Sequence, residues 1–311
     1  MNNEVVAFTK NTDRNHILNL LKTVGIIVLR DHGMSLEDYH NWQYDLGYHL
    51  PPDVWCSHKD YPLFWRVTND KVDGHHEGLF GHSDIEWHSN ILFTYDNQEI
   101  VSLWGHKIPE NDCSPTTYSN SIPYFKNLDP EKKARYKKLY TEFHWDLEKA
   151  FYDKPFDVKN ASLLLDEPME QMKALSRKTW IGNSINISEE NKNLYKQARY
   201  TFEGRYKLVP NHPLGAEGLF FPLTHICNIT DEDNNAQTNA KEIFDEIKKD
   251  WLDCEDYMYT HEWQEGDIVI ADQLTGLHRR DFGIPDGVVR ELLRSTCWYK
   301  TEDRLHYSYS L

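Results

Sequence analysis

The sequence predicts an α+β fold that is mainly β, with many short strands and a few helices. Short runs of β-branched and aromatic residues recur between stretches that contain Gly, Pro and Asn, which is typical of strands joined by turns. Helical periodicity is confined to a few segments. The chain shows no internal repeat, low-complexity tract or linker, so we expect one domain over residues 1–311.

The N-terminal region predicts two helices and one strand. Apolar residues at helical spacing predict a first helix, which Gly25 ends before the strand Ile26–Leu29. Ser35 and Asp38 form a capping-box pattern at the start of a second helix, which ends at Gly47. This pattern is typical of scaffold, and we assign it no chemistry.

Further strands and helices follow in the rest of the chain. Strands are predicted over residues 64–69, 91–93, 100–104, 219–222, 267–271 and 290–298. Helices are predicted from Asp129, which is followed by Pro and an acidic first turn, and over residues 238–251. Residues 145–205 alternate between acidic and basic, and the sequence does not decide their conformation.

Composition and charge limit the kind of partner. Hydrophobic residues make up only 39% of the chain, but ten Trp and eighteen Tyr supply material for a core. The net charge of −16 argues against nucleic acid or an anionic membrane as partner, because both would be repelled. A small-molecule substrate remains open, since its pocket can carry the opposite local charge.

Cysteine usage and the N-terminus indicate the compartment. Five scattered cysteines without a C-x-x-C pair are typical of free thiols in a reducing environment. No basic region followed by an apolar core opens the chain, and no apolar run approaches the roughly eighteen residues that span a membrane. We expect a cytoplasmic protein, and the sequence does not predict its oligomeric state.

Two histidines far apart in the chain carry the candidate chemistry. His88 precedes a β-like run, and His278 follows one. Two imidazoles and one oxygen ligand on a single face of a metal are typical of mononuclear iron sites that carry out oxygen chemistry. Residues two apart on a strand point the same way, so His88 and Asn90 can share one metal.

The surrounding sequence resembles the taurine dioxygenase-like (TauD/TfdA) family of Fe(II)/2-oxoglutarate oxygenases. Residues 87–93, Trp-His-Ser-Asn-Ile-Leu-Phe, are similar to the family signature W-H-[ST]-D-x-x-F. Residues 266–273, with His278 after them, are similar to its second-histidine segment, and Arg290 and Arg294 follow. The segment at 25–30 also matches, so the resemblance covers most of the chain.

The resemblance implies a fold and a metal centre. The fold is a double-stranded β-helix (jelly-roll, cupin-like) core with flanking helices and a lid or insertion at about 145–205. The metal ligands are His88, Asn90 and His278, the cofactor is Fe(II), and the cosubstrates are 2-oxoglutarate and O₂.

The resemblance also implies residues that bind the cosubstrate. Arg294 is expected to pair with the distal carboxylate of 2-oxoglutarate, and Arg290 with an acid group of the cosubstrate or substrate. Thr116 lies in the segment that corresponds to the family's G-G-D-T and is expected to donate its hydroxyl to 2-oxoglutarate.

Asn90 departs from the family pattern, which has Asp at this position. A carboxamide offers a metal only a neutral carbonyl oxygen. Asn90 could ligate through that oxygen, a halide or water could take its place as in a halogenase-like variant, or the site could be silent. An engineered Asp-to-Asn change would give the same sequence.

Other histidines offer alternative sites. His82 and Asp84 form an H-x-D motif with a carboxylate, but they lack the flanking Trp and Phe of the family, which favours His88 and Asn90. We therefore expect His82 and Asp84, together with Arg290, at the substrate pocket. The histidines at 75–88 could hold a structural zinc, although their spacing matches no common zinc pattern.

Together with Arg290, the family resemblance implies an oxygenase that oxidises an unactivated C–H bond of a small polar, carboxylate-bearing metabolite. Hydroxylation, desaturation and oxidative cyclisation are all compatible with the sequence, with release of succinate and CO₂. A halogenase-like variant and a catalytically silent small-molecule binder are the alternatives. The sequence does not name the substrate.

Overall fold

The computed structural model describes residues 12–49, 57–72, 75–78, 80–82, 84–90, 99–110, 114–144, 149–152 and 203–300. The helices are α1 (Arg14–Val24), α2 (Leu36–Leu46), α3 (Ser121–Asn127), α4 (Pro130–Tyr136) and α5 (Ala240–Ile247). The strands are β1 (Ile26–Leu29), β2 (Gly47–His49), β3 (Trp65–Thr68), β4 (Lys71–Val72), β5 (His75–His76), β6 (Ile85–His88), β7 (Ile100–Lys107), β8 (Thr116–Asn120), β9 (Tyr140–His144), β10 (Glu203–Lys207), β11 (Ile226–Thr230), β12 (Met258–His261), β13 (Ile268–Asp272), β14 (Gly276–Arg280) and β15 (Glu291–Tyr299). Single helical turns cover Leu223–His225, Lys248–Leu252 and Glu255–Tyr257.

Antiparallel sheets form most of the regular secondary structure in the described residues. The large sheet has the order β1-β13-β7-β15-β2, with β3 also paired to β15, and the small sheet has the order β12-β8-β14-β6. A third sheet has the order β10-β9-β11, and β4 pairs with β5. This confirms the mainly β fold with some helices, while the double-stranded β-helix stays a prediction.

Alternating residues of the large sheet pack on its two faces. Ile27, Ile270 and Leu293 pack with the apolar sides of α1 and α2. Val28 and Leu292 pack on the opposite face, in a cluster that includes Tyr118 of the small sheet. The apolar residues of α3, α4 and α5 form a further cluster with Leu277 of β14. Two sheets therefore face each other between layers of helices.

Local sequence signals account for the helix ends. Gly25 follows α1 with a φ of 74°, in the left-handed region that favours glycine. Ser35 and Asp38 form the predicted capping box of α2, and Asp129 caps α4 ahead of Pro130. These three predictions are confirmed.

Two of the predicted elements differ from the structure. The apolar run at residues 219–222 is not a strand, although Phe220 and Phe221 are buried. Its burial comes from packing in an extended connection, in which the Phe220 N–H donates to the Leu208 carbonyl at 2.9 Å. The predicted helix at 238–251 is α5, and its last turn widens to a π-helical turn at Lys248–Leu252.

Two predictions fall largely outside the described residues. The strand predicted at 91–93 lies wholly outside them, and so does most of the lid or insertion predicted at about 145–205. Within the described ranges, no helix is long and apolar enough to cross a membrane.

Candidate active site

The small sheet brings the two predicted histidines together. β14 lies between β6 and β8, and its register pairs His278 with His88 on one side and with Tyr118 on the other. The centroids of the two imidazole rings are 4.2 Å apart, and the Tyr118 ring stacks on His278 at 5.7 Å. Residues that are 190 positions apart in the chain thus form one site.

Both imidazoles are held in the form that binds metal. His88 Nδ1 lies 2.8 Å from the Glu86 carbonyl, which can only accept, so Nδ1 carries the proton and Nε2 keeps a lone pair. Burial lowers the pKa of His88 to about 4. Burial, followed by the charges of His88 and Arg294, lowers the pKa of His278 well below its ordinary value. Neutral imidazoles are the metal-binding species.

Asn90 is buried beside both histidines and uses both ends of its amide. Its Oδ1 accepts from Arg294 Nη1 at 2.6 Å, and its Nδ2 donates to His278 Nε2 at 3.2 Å. Its backbone N–H donates to Gln273 Oε1 at 2.6 Å, which fixes its position.

A cavity lies between the two sheets at this site, and together with the open solvent at its mouth it occupies about 400 Å³. Its lining includes six of the eight predicted site residues. The lining residues are Val67, Phe80, Ile85, His88, Asn90, Leu103, Thr116, His278, Arg279, Arg280, Arg290, Leu292 and Arg294. None of the described residues in this lining is acidic, so the cavity is strongly basic although the chain carries a net charge of −16.

Arg290 and Thr116 flank the indole of Trp263. Thr116 Oγ1 accepts from Trp263 Nε1 at 2.9 Å, and the Arg290 guanidinium lies 5.9 Å from the centre of the same ring system. Arg290 is buried, and its backbone N–H and carbonyl are bonded to the side chains of Asn69 and Thr68. The backbone that carries this guanidinium is therefore well fixed.

Arg294 reaches Asn90 beside the histidines. It is buried on β15, and its guanidinium lies 4.9 Å from the Trp65 ring and 5.6 Å from the Phe80 ring. Aromatic faces attract a cation at these distances, so the rings and Asn90 together orient the side chain.

Two further arginines of the cavity were not predicted as site residues. Arg280 Nη2 donates to the carbonyls of Phe80 at 2.8 Å and Gly81 at 3.1 Å, and Arg279 pairs with Asp281. The sequence did contain a signal for Arg280, because a residue two positions after His278 on a strand lies on the same face. Trp263 and Phe80 had no comparable signal.

His82 and Asp84 are not among the described residues that line the cavity, and their expected place at the substrate pocket stays a prediction. His82 Nδ1 lies 3.1 Å from the Ile284 carbonyl and 3.3 Å from Asn69 Nδ2, and Asp84 is exposed. Loop contacts thus hold the imidazole, and the Asp84 residue is exposed to solvent. The side chains of His75 and His76 lie outside the described structure, and the described part contains no group of three His, Cys, Asp or Glu that could hold a metal.

The donor set fits a divalent transition metal in part. Two neutral imidazoles on adjacent strands suit iron and related metals. Asn90, however, presents its amide nitrogen to His278, and that nitrogen is a hydrogen-bond donor, not a metal donor. As arranged, two of the three predicted ligands offer a donor atom.

Comparison with known proteins gives the family. The sequence matches the family described as "Taurine catabolism dioxygenase TauD, TfdA family" over residues 3–296. Pentalenolactone F synthase of Streptomyces arenae is 22% identical over 280 residues, which cover 88% of this chain and 83% of that protein.

Solved structures share the fold. A taurine dioxygenase from Burkholderia xenovorans superposes with a TM-score of 0.59 at 12% identity, over 95% of this chain and 84% of that chain. AAD-2 in complex with Mn(II) and N-oxalylglycine superposes with a TM-score of 0.58 at 15% identity, over 96% of this chain and 91% of that chain.

A family match over nearly the whole length shows that the chain belongs to the TauD/TfdA family. It is a 2-oxoglutarate-dependent non-haem iron dioxygenase. Its cofactor is Fe(II), and its cosubstrates are 2-oxoglutarate and O₂.

Proposed function

We propose that this dioxygenase oxidises an unactivated C–H bond of a small anionic metabolite, by hydroxylation, desaturation or oxidative cyclisation, with release of succinate and CO₂. One observation carries the proposal: two neutral histidines and four arginines line a single cavity between the sheets. Such a cavity can hold a metal beside more than one anion.

His88 and His278 are the residues that would hold Fe(II). Activation of O₂ and decarboxylation of 2-oxoglutarate are the chemistry that the iron supplies when bound. The protein positions the reactants and excludes water, and the apolar side chains of Leu103 and Leu292 on the facing sheet suit both tasks.

Arg290 and Thr116 are placed to bind the distal carboxylate of 2-oxoglutarate. Both lie next to the indole of Trp263, whereas the Arg294 guanidinium is already engaged by Asn90. A keto acid that reaches the histidines with one end would extend toward this pair with the other. The geometry therefore favours Arg290 over Arg294 for the role that the sequence resemblance implies for Arg294.

Arg280 supports an anionic group on the substrate, whereas Arg279, which also lines the cavity, is 32% exposed and already paired with Asp281. Both arginines line the cavity from β14, and the carbonyls of Phe80 and Gly81 hold the Arg280 guanidinium from one side. Buried guanidinium groups are stabilised by anions, and no acidic side chain occurs among the described residues of the lining. Val67 and Ile85 add apolar surface for the carbon skeleton.

Turnover of 2-oxoglutarate tests the proposal. The protein, loaded with Fe(II) without oxygen, is given 2-oxoglutarate and a panel of small carboxylates, phosphates and neutral analogues, and succinate is measured after air is admitted. We expect succinate formation that an anionic compound stimulates and that His88→Ala and His278→Ala abolish. His82→Ala is the matched control and should retain activity, because His82 is not among the described residues of the lining.

The same assay separates the alternatives. Binding of 2-oxoglutarate without succinate from any compound would support a silent binder and contradict the proposal. A chlorinated product formed with chloride present would support the halogenase-like variant. Stimulation by neutral analogues alone would contradict the anionic substrate class.

A further inference from the structure

The amide of Asn90 has a fixed orientation. A guanidinium can only donate hydrogen bonds, so the atom that faces Arg294 Nη1 at 2.6 Å must be the carbonyl oxygen. The amide nitrogen therefore faces His278 Nε2 at 3.2 Å. That Nε2 lone pair is the one a metal at this site would need.

We propose that Asn90 is not a metal ligand, and that the protein supplies only His88 and His278 to the metal. Asn90 instead bridges Arg294 and His278, and water or a small anion completes the coordination. This inference rests on the proposed function, since it concerns the metal site of the same cavity.

Turning the amide of Asn90 so that it could bind the metal would break its hydrogen bond with Arg294. A half-turn about the last side-chain bond would point the oxygen toward the metal, but it would also point the amide N–H groups at the Arg294 guanidinium. Two donors would then face each other. A carboxylate avoids this conflict, because one oxygen can accept from Arg294 while the other binds the metal.

The surroundings of Arg294 keep its guanidinium next to Asn90. Asn90 and Arg294 are 4% and 5% exposed, so neither can exchange its partner freely for bulk water. The rings of Trp65 and Phe80 hold the guanidinium, and Gln273 holds the Asn90 backbone. The bridge is thus supported on both sides.

Metal affinity of the apoprotein tests the inference without any turnover. Co(II) is titrated anaerobically in the absence of 2-oxoglutarate, and binding is followed by visible absorption and calorimetry. We expect Asn90→Ala to bind Co(II) as tightly as the native chain or more tightly, because the amide nitrogen no longer competes for His278. Asn90→Asp should bind at least about tenfold more tightly, since even outer partners of metal ligands change affinity about 10–100-fold.

A double variant guards against an indirect effect on folding. With Arg294→Met the amide is free to turn, so adding Asn90→Ala in that background should weaken Co(II) binding, whereas it does not in the native background. Circular dichroism of each apoprotein confirms that the variants fold.

The possible failures are distinct. Loss of Co(II) affinity in Asn90→Ala as large as in His278→Ala would show that Asn90 is a ligand and overturn this inference. Co(II) binding that is unaffected in both His88→Ala and His278→Ala would overturn the metal site of the proposed function itself.

Discussion

Three polar side chains that line the cavity are held by hydrogen bonds to other groups of the protein. The Glu86 carbonyl fixes the tautomer of His88, Trp263 donates to Thr116, and two backbone carbonyls hold Arg280. Each group thereby keeps one orientation before any ligand binds. Such preorganisation lowers the entropy that binding must overcome.

At the residue scale, the two arginines near β15 should differ in their effect on the cosubstrate. Lysine keeps the charge but lacks the planar fork that binds a carboxylate with two hydrogen bonds. We expect Arg290→Lys to raise the KM for 2-oxoglutarate about tenfold, which corresponds to one lost charge-assisted hydrogen bond of about 1.5 kcal/mol. Arg294→Lys should raise it less. Steady-state kinetics at saturating substrate give both KM values. A larger rise in KM for Arg294→Lys than for Arg290→Lys would show that Arg294 binds the distal carboxylate.

Thr116 offers a second test of the same subsite. Thr116→Val keeps the shape but removes the hydroxyl, so the KM for 2-oxoglutarate should rise by about tenfold while Thr116→Ser stays near the native value. The Trp263 N–H also loses its acceptor in the valine variant. An equal loss in the valine and serine variants would show that the methyl group, not the hydroxyl, matters.

At the scale of the elements, local sequence patterns predicted most of the scaffold. Gly25, the Ser35–Asp38 box and Asp129 each act within one turn of chain, so no distant residue can reverse their effect. The strand predicted at 267–271 is β13, but β6 and β14, which carry His88 and His278, are not among the predicted strands. The pairing of the two histidines through β14 was expected from the family resemblance and not from the strands themselves.

The parts that the sequence did not predict depend on distant contacts. The bond between Asn90 and Arg294 joins residues 204 positions apart, and it decides which atom of the amide faces His278. The indole of Trp263 reaches Thr116 across 147 positions. The contact of His82 with the Ile284 carbonyl joins residues 202 positions apart. No local periodicity encodes such contacts.

Gly25, which ends α1, and Gly33 both have a left-handed backbone, so alanine at each position tests what the end of α1 contributes to stability. A Cβ on Gly25 would lie 1.7 Å from Asn120 Nδ2, and Asn120 cannot easily move because it caps α3 and bonds Thr275. A Cβ on Gly33, with a φ of 67°, would meet no atom within 4 Å. We expect Gly33→Ala to lower the free energy of unfolding by about 1 kcal/mol from backbone strain alone. Gly25→Ala should lower it by about 3 kcal/mol, because overpacking adds roughly 1–3 kcal/mol.

Urea unfolding of both alanine variants and the native chain measures these losses. Equal destabilisation at the two positions would show that Asn120 adapts to the added methyl group, and that the strain of the left-handed backbone is the whole effect.

At the scale of the whole molecule, charge is distributed unevenly. The chain carries a net charge of −16, yet the cavity is lined by four arginines and by no acidic residue among those described. Buried positive charge surrounded by a negative surface favours small anions that can enter the cavity, and disfavours polyanions that would meet the outer surface first. The charge pattern thus supports a small anionic substrate.

Acid sensitivity of the whole fold should depend on a buried ion pair between two strands of the large sheet. Asp267, just before β13, is 1% exposed and accepts from Arg30, just after β1, at 2.8 and 2.5 Å. Burial alone would raise the pKa of Asp267, but the hydrogen bonds from Arg30, His261 and the Gln264 N–H lower it to about 2. A carboxyl whose pKa is lowered on folding stabilises the folded state above its unfolded pKa of about 4, and this contribution is lost as the pH falls toward 2.

Replacing this carboxylate should therefore remove part of the pH dependence of stability. We expect Asp267→Asn to lower the free energy of unfolding at pH 7 by at most about 2 kcal/mol, with a difference from the native chain that shrinks between pH 5 and pH 2. Asp245→Asn is the control: its pair with Lys241 is exposed on α5, and such pairs contribute only about 0.3–0.5 kcal/mol. Urea unfolding across this pH range measures all three proteins. A difference for Asp267→Asn that stays constant down to pH 2 would show that shape and hydrogen bonding, not the charge of the carboxylate, join the two strands.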